Sequence, residues 1–336
     1  MDSMKHIISS RILTAFAAAA FLWLAIPAAL LAGDRQEGSG KLGRFRLDIY
    51  GGFSLVNPSD MNLLVEYDRS VQEFTYDAYF EYLRGNGLIR SWNKNAEGER
   101  KMIRYALPLG FRIGYSLTDF LAVSVGFQYS WRSPSDSLKY EYTRSETPSE
   151  QYLESLDFAP YRLEIRSYCP SVGIHYMTRI GQALMIEAFV SGGPLFAECH
   201  YESSWRYTWF IQGQGYNWET YKAEGLLQED GSGTGISLEF SGRLSTPVYR
   251  RLDVFLESGY SYQAVRSLSG SGREKRAGNT ETWEGKWGIK SETMTAPWGK
   301  RELSFPTNYK TGGTGMGDFR LDLSGFRLRV GLSWGF

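Results

Sequence analysis

Two residue types that carry much protein chemistry are scarce in this chain of 336 residues, which has only two cysteines and three histidines. Cys169 and Cys199 are too few for a disulfide scaffold, and they lack the spacing of a metal site. An oxidising compartment would allow them to pair, and the sequence leaves that question open. We expect neither a metal nor a cofactor.

An excess of charge of either sign is also missing, since 37 Lys and Arg residues balance 37 Asp and Glu residues. A nucleic-acid partner would need a basic surface, which this balance does not indicate. The mean hydropathy of −0.34 argues against a protein built from many membrane-spanning helices. Aromatic residues make up 15% of the chain and glycines number 37, proportions that favour strands joined by many turns.

Long apolar runs are missing as well, except near the N-terminus between Ile12 and Leu31. Lys5 and Arg11 precede that run, and small and then polar residues follow it. This order is typical of a secretory signal peptide, and we expect residues 1–32 to be cleaved off. A membrane-anchoring helix is the alternative, because about 20 apolar residues could span a bilayer. Residues 33–42 would then form a short periplasmic segment.

Beyond that segment, apolar and polar residues alternate with a period of two, as in strands with one apolar face. In residues 43–55, odd positions such as Leu47 and Ile49 are apolar, and even positions such as Arg46 and Asp48 are polar. The length suits a tilted strand that crosses a bilayer. Seven similar segments follow, at residues 103–115, 121–131, 161–177, 184–190, 236–244, 252–262 and 326–336.

The fourth of these segments changes phase. Its apolar residues are odd-numbered at Leu163 and Ile165 but even-numbered at Val172 and Ile174. A β-bulge at Cys169–Pro170 would explain the change, because proline is tolerated at bulges and not within a hydrogen-bonded ladder.

The connections between the segments alternate between long and short. This is typical of transmembrane barrels, which have short periplasmic turns and long extracellular loops. We therefore predict an all-β fold, an antiparallel transmembrane β-barrel of eight strands over residues 43–336. Ten strands are the alternative, but residues 216–223 show no clean apolar face, so we favour eight. The predicted long loops are residues 56–100, 133–160, 201–235 and 266–318.

The last segment, Phe326–Phe336, has an apolar residue at every second position and ends in an aromatic residue. It resembles the C-terminal strand of bacterial outer-membrane proteins, and the strand count resembles small barrels of the OmpA, OmpX and OmpW type. No motif assigns the chain to one subfamily. The resemblance implies an outer-membrane location and an assembly signal, Trp334 and Phe336, read by the barrel-assembly machinery. It implies nothing about activity.

The inward positions of the eight segments carry charges of both signs. The interior of an eight-stranded barrel is just wide enough for side chains to fill it. Because an unpaired charge there would be costly, we expect the arginines and carboxylates to form one paired network that plugs the lumen. A general diffusion pore would need more strands. The predicted network comprises Arg46, Asp48, Arg112, Arg162, Glu164, Arg166, Glu187, Glu239, Arg243, Asp253, Glu257, Arg327 and Arg329.

The long loops carry further patterns. Met61 to Leu83 has apolar residues near helical spacing, which fits a short amphipathic helix over the barrel mouth or an irregular loop equally well. The glycine-rich fourth loop lacks the features of a phosphate-binding motif, and we expect it to be flexible. The third loop is predicted to be a hairpin beyond the membrane. Its aromatic cluster either binds a sugar, a lipid chain or a protein or, as we favour, packs the loops together. That cluster is Trp205, Tyr207, Trp209, Tyr216 and Trp218.

Outside the signal segment, the histidines are His175 and His200. His175 has no acidic neighbour in the sequence, and we expect it to pack inside the barrel. Glu198, His200 and Glu202 share one face of a strand near the outer rim, where a weak metal site or a hydrolytic centre could form. We favour an ordinary polar rim, with no catalytic residue.

Three functions remain compatible with these features. We favour a non-catalytic role at the cell surface, in adhesion, ligand binding or envelope integrity, because the lumen is expected to be filled. A narrow channel for small or hydrophobic solutes is the first alternative, and a lipid-modifying or hydrolytic enzyme using His200 is the second. We expect a monomer, surrounded by outer-membrane lipid, with its long loops as the place for any extracellular ligand.

Overall fold

A computed structural model describes most of the chain after residue 44. The predicted signal peptide and the periplasmic segment at residues 33–42 lie outside the described part. Within that part, no helix is both long and apolar enough to cross a membrane. The described ranges are 45–56, 59–98, 104–133, 135–147, 150–180, 184–213, 216–249, 251–276, 278–310 and 317–336.

Strands make up most of these residues. Two helices, α1 (Ser59–Gln72) and α2 (Ala78–Gly85), are joined by a π-helical turn at Glu73–Asp77. The strands are β1 (Phe45–Leu55), β2 (Ser91–Gly98), β3 (Tyr105–Ser116), β4 (Leu121–Arg132), β5 (Ser135–Thr147), β6 (Glu150–Ile180), β7 (Leu184–Gly213), β8 (Tyr216–Tyr249), β9 (Leu252–Val265), β10 (Ser269–Arg276), β11 (Asn279–Ala296), β12 (Gly299–Lys310), β13 (Gly317–Asp318), β14 (Leu321–Asp322) and β15 (Gly325–Gly335).

Eight of these strands close into an antiparallel barrel. The order β1-β3-β4-β6-β7-β8-β9-β15 returns to β1, so no strand of this ring has a free edge. Asp48 of β1, for example, pairs with Arg112 of β3 on one side and with Ser333 of β15 on the other. Full closure satisfies the strand backbone groups inside the sheet, as a hydrocarbon environment requires. The predicted antiparallel transmembrane barrel is confirmed.

The barrel has two unlike ends, which we call lower and upper. The C-terminus and the short connections lie at the lower end, where the amide of Phe336 donates a 2.9 Å hydrogen bond to the carbonyl of Phe45. The outward face of this lower part is apolar. Ile49 is 59% exposed, whereas its neighbour Asp48 is 1% exposed. Other exposed outward residues are Leu109, Val125, Val172, Ile174, Val190, Phe240, Leu256, Leu328, Val330 and Leu332.

At the upper end, the sheet continues well past this apolar belt. Strands β6, β7 and β8 contain 31, 30 and 34 residues, far more than a bilayer needs. The pairing of β7 with β8 runs from the barrel to Gly213 and Tyr216, with one register shift between Trp209 and Phe210, so the predicted hairpin of the third loop is confirmed. Most of the segment predicted as the second loop is strand as well.

The described part of the fourth long loop consists mainly of paired strands, so the prediction of a flexible loop is wrong for residues 269–276, 279–296 and 299–310. Residues 311–316, which hold most of its second glycine-rich stretch, lie outside the described residues. Strand β10 pairs with β8, β11 with β10, and β12 with β11. The physical reason lies in close packing that glycine permits. A Cβ atom on Gly272 would lie 2.2 Å from the ring of Trp283, and one on Gly270 would lie 2.0 Å from the carbonyl oxygen of Asp230. The glycines thus allow neighbouring strands and indole rings to pack directly against the backbone.

The segment from Met61 to Leu83 is helical, so the helix alternative is correct. The helical segment joins the two edges of the upper sheet. At the β12 edge, the indole of Trp298 donates a 2.8 Å hydrogen bond to the carbonyl of Phe74. At the β2 edge, the rings of Phe80 and Trp92 stack at 5.5 Å, and Lys94 pairs with Asp77 at 2.7 Å.

Above the apolar belt, the two faces of the sheet exchange character. On β6, Leu163 and Ile165 face the interior and are completely buried, whereas Arg162 and Arg166 are about half exposed outside. No bulge occurs at Cys169–Pro170, because β4 and β6 pair there without a register shift. The predicted β-bulge in this strand is therefore wrong, and the apolar residues change parity because the two faces exchange character.

The proline nevertheless has a local effect. The pairs Tyr168–Phe196 and Val172–Gly192 place Pro170 opposite Pro194, and the β6–β7 pairing is interrupted between them. Neither proline has an amide hydrogen, so the ladder loses hydrogen bonds at this point without losing its register.

Candidate functional site

The lower half of the barrel interior holds a dense ion-pair network. Arg46 donates from both terminal nitrogens to the carboxylate of Glu187, at 2.8 Å each. Arg243 donates to Asp48 at 2.5 Å, and Arg112 donates to Glu257 at 3.3 Å. All of these side chains except the partly buried Arg46 are almost completely buried. Pairing on this scale offsets the cost of removing the charges from water.

The upper part of the same network centres on Glu239. Arg329 donates to both oxygens of Glu239 and, at 2.5 Å, to Glu257. Arg327 donates to Glu239 at 3.1 Å and to the side-chain oxygen of Gln128 at 2.9 Å. Gln128 also accepts a hydrogen bond from Arg329. Its amide oxygen therefore links the two arginines, a role that its neutral side chain did not suggest in the sequence.

Aromatic rings fill the space between the guanidinium groups. The guanidinium of Arg243 lies 3.6 Å from the ring centre of Phe255, and that of Arg112 lies 4.1 Å from the ring of Phe189. Glycines opposite the large rings make room for them. A Cβ on Gly331, which pairs with Phe255, would lie 2.4 Å from that ring. Sequence reasoning missed these inward aromatics because apolar residues were assigned to the lipid face.

His175 is inside the barrel, as predicted, but it does have an acidic partner. Its Nδ1 atom is hydrogen-bonded to Glu187, and its Nε2 atom lies 2.6 Å from the hydroxyl of Ser124. This is the hydrogen-bond order of a Ser-His-acid triad. However, the imidazole is completely buried, and Glu187 is also bound by Arg46. At the lower end of the barrel, Ala122, Met177 and Met185 pack together as a small buried cluster.

Three residues predicted for the lumen lie elsewhere, so that part of the prediction is wrong. Arg162, Glu164 and Arg166 are on the outer face of β6, where Glu164 accepts a 2.7 Å hydrogen bond from Arg162 and a 2.5 Å bond from Arg166. Trp131, an outward residue of β4, also donates to Glu164 at 3.1 Å. The error came from the expected bulge, which would have reversed the faces of the upper strand.

Asp253 faces the interior near the lower end, but it is only partly buried. It makes no ion pair within 4 Å to another described residue. Nine of the thirteen predicted residues thus lie in one contiguous network. They are Arg46, Asp48, Arg112, Glu187, Glu239, Arg243, Glu257, Arg327 and Arg329.

The upper half of the interior is filled by an apolar cluster that we call the cap. The barrel strands contribute completely buried residues such as Leu163 and Leu195. The segments above the barrel contribute Met61, Trp287 and Leu321, which close over them. Cys169 and Cys199 both belong to the cap and are free thiols. The further members are Val56, Ala106, Ile165, Ala197, Tyr201, Val265, Leu268, Phe319 and Leu323.

A polar patch lies outside the cap, on the outer face of the upper sheet. Glu198, His200 and Glu202 alternate on this face of β7, above the outward ring of Phe196. His200 Nδ1 is 2.7 Å from Asp230 of β8. This hydrogen bond raises the pKa of His200, an effect that burial opposes. Among the described residues, no group of three or more His, Cys, Asp or Glu side chains is arranged to hold a metal.

The predicted aromatic cluster lies along the β7–β8 hairpin. Trp205 pairs with Gly225, which leaves room for its indole, and the guanidinium of Arg276 lies 5.8 Å above that ring. The other four members belong to the paired hairpin backbone, and their side chains lie outside what the structure describes. They are Tyr207, Trp209, Tyr216 and Trp218.

The predicted assembly-signal residues lie at the lower, outward edge of the ring. Trp334 is 52% exposed, and its ring stacks on that of Phe336 at 6.4 Å. The role of these two residues in barrel assembly stays a prediction.

No protein-family model matches the chain, and comparison with curated proteins finds no match. Among solved structures, a major outer membrane protein from Thermus thermophilus is similar, with 10% identity and a TM-score of 0.32, over 87% of this chain and 99% of that one. The translocator domain of autotransporter NalP from Neisseria meningitidis has 10% identity and a TM-score of 0.17, over 96% and 98%. Likenesses this distant carry no argument about activity.

Proposed function

We propose that the chain is an integral outer-membrane barrel with a closed lumen, and that it acts without catalysis at the cell surface. The observation that carries this proposal is that an apolar outer belt and a charged, ion-paired interior occur on the two faces of the same barrel. In water, the exposed belt would be a large aggregation-prone surface. In a bilayer, the same side chains face hydrocarbon.

Two layers support a closed lumen. The arginine–carboxylate network and its aromatic rings occupy the lower half, and the apolar cap occupies the upper half. A solute would have to separate buried ion pairs and then displace Leu163, Leu195 and Trp287. We therefore disfavour the alternative of a narrow channel.

The non-catalytic role rests on the placement of the polar groups. The Ser124–His175–Glu187 arrangement is enclosed, and Glu187 already neutralises Arg46. His200 is hydrogen-bonded to Asp230 and has no serine or cysteine nucleophile among its described hydrogen-bond partners. The long upper sheet, with the partly exposed Trp205 beside Arg276, instead offers area for adhesion or ligand binding.

The location is tested by expressing the full chain in a bacterium with two membranes and fractionating the cells. We expect the chain in the outer-membrane fraction, soluble only with detergent, and with a mobility on gels that changes on heating. Recovery as a soluble protein without detergent would contradict the proposal.

The closed lumen is tested in planar bilayers. Wild-type protein is expected to give no steady conductance, and Glu239→Ala should unfold at a lower temperature. Glu164→Ala, which removes a carboxylate outside the barrel, is the matched control. Conductance by the wild-type protein, or an unchanged melting temperature with new conductance in Glu239→Ala, would favour the channel instead.

The surface role is tested with cells that display the chain, assayed on immobilised polysaccharides and matrix proteins. A variant with a two-residue turn in place of residues 207–221 should lose binding and keep the barrel. Equal binding by both proteins, or none by the wild-type chain, would contradict a binding role for the hairpin.

A further inference from the structure

One buried arginine does not take part in the ion-pair network. Arg132 lies at the upper end of β4, faces the interior and is only 3% exposed. Its Nη2 atom lies 3.4 Å from the hydroxyl of Ser130, while its Nε and Nη1 atoms have no hydrogen-bond partner. The five other interior arginines each have a carboxylate within 4 Å.

The surroundings of Arg132 provide no local counter-charge. Ile165 lies opposite it on β6, and the pair Leu107–Trp131 places Ala106 beside it on β3. Both neighbours are completely buried members of the cap. The guanidinium therefore lies at the boundary where the polar network ends and the apolar cap begins. An unpaired charge in such a place is costly.

A second arginine reaches the same level of the barrel. Ser54 of β1 pairs with Ala106 on one side and with Arg327 on the other. Only two small residues thus separate the positions of Arg132 and Arg327. The Nε atom of Arg327 also lacks a partner, as does the hydroxyl of Ser261, the inward residue of β9 above this level. Several donors with free hydrogen-bonding capacity occupy one band.

The buried carboxylates of the interior are already engaged elsewhere. Below the cap, each of them forms an ion pair with at least one other arginine; they are Asp48, Glu187, Glu239 and Glu257. Glu229, which is buried opposite the cap residue Tyr201, accepts a hydrogen bond from Thr307. Among the described residues, the charge of Arg132 is therefore left without a carboxylate within 4 Å.

We propose that this band binds a small inorganic anion, held by Arg132 with help from Arg327 and from the hydroxyls of Ser130 and Ser261. The anion neutralises the unpaired charge of Arg132 and satisfies the free donors beneath the cap. The site is internal and does not depend on what the upper sheet binds.

The test compares barrels refolded with different anions. The full chain is refolded into detergent micelles in sodium bromide, in sodium phosphate, or in sodium gluconate, at equal ionic strength. Gluconate is a larger, organic anion and serves as the reference. We expect the wild-type unfolding midpoint to be higher by about 2–4 °C in the buffer whose anion fits. Crystals grown from the bromide sample should show an anomalous peak beside the Arg132 guanidinium.

Two variants separate a site from a general salt effect. Arg132→Met keeps an unbranched apolar stem and removes the guanidinium with its charge, so its midpoint should be the same in all three buffers. Arg162→Met, on the outer face, should keep the wild-type response. An equal response in Arg132→Met, or wild-type barrels with no response and no anomalous peak, would overturn the proposal. Should Arg132→Met fail to fold, the bromide peak in the wild-type crystal decides.

Discussion

The lower and upper halves of this barrel are built with opposite polarity. In the lower half, Ile49 and Val330 are exposed outside, while Asp48 and Arg329 are buried inside. In the upper half, Leu163 is buried inside and Arg162 is exposed outside. The strands continue through both halves, so the same alternating strand faces lipid in the lower half and water in the upper half. Alternation therefore defines two faces of a strand, and the surroundings at each height decide which of the two faces is apolar.

The largest expected effect comes from breaking the lower interior. Arg329→Ala would leave Glu239 and Glu257 buried with fewer partners, and we expect a loss of about 3–5 kcal/mol in the free energy of unfolding. Urea unfolding in micelles measures it. Arg166→Ala, on the outer face of the upper half, should cost about 1 kcal/mol or less. Equal losses would mean that the interior ion pairs do not differ from surface pairs.

The cap should lose stability when a cavity is made in it. Leu163→Ala removes a completely buried side chain, and we expect a loss of about 2–5 kcal/mol. Leu328→Ala, on the outward face of β15, should cost less, because detergent or lipid fills the space that the side chain leaves. The same urea titration measures both variants. A larger loss for Leu328→Ala would show that the cap is loosely packed.

A charge placed on the outward face should distinguish the two halves directly. Val330→Arg puts a guanidinium in the middle of the apolar belt, and we expect a loss of about 2–4 kcal/mol. Ser232→Arg, on the outer face of β8 above the belt, should change stability by about 0.5 kcal/mol or less. Both are measured by folding into lipid vesicles. Similar values for the two variants would contradict a boundary between the halves.

The smallest expected effect is a pH dependence in the polar patch of the upper half. The hydrogen bond to Asp230 raises the pKa of His200 in the folded chain. The stabilisation is therefore fully present below the unfolded pKa of about 6.5 and is lost as the pH rises through the higher folded value. The urea midpoint of His200→Gln should fall below that of the wild type at pH 5.5 and approach it at pH 9. A constant difference across this range would rule out the ion pair as its cause.

The sequence predicted the ring strands well wherever one rule held along the whole segment. In β1 and β15, every odd or every even residue is apolar and faces outward, and the prediction of their charged faces agrees with the positions of Asp48 and Arg329. These strands end near the limit of the belt, so they meet only one outer environment.

The sequence was less informative for β6. Leu163 and Ile165 are apolar because the cap surrounds them, and Val172 and Ile174 are apolar because they lie in the belt. Without the fold, two apolar sets of opposite parity suggest a bulge. The predicted lumen positions of Arg162, Glu164 and Arg166 followed from that error. Arg132 was missed because it lies at the last residue of an otherwise ordinary strand.

By itself, the sequence determined the class of fold, because eight alternating segments of bilayer-spanning length, joined by connections that are long and short in turn, are typical of a transmembrane barrel. It also determined that charges of both signs lie within that barrel. The tertiary structure alone decided which carboxylate meets which arginine, and that the helical segment and β10–β12 extend and cover the upper sheet. Those contacts join residues far apart in the chain, and their energies depend on distances that no local pattern encodes.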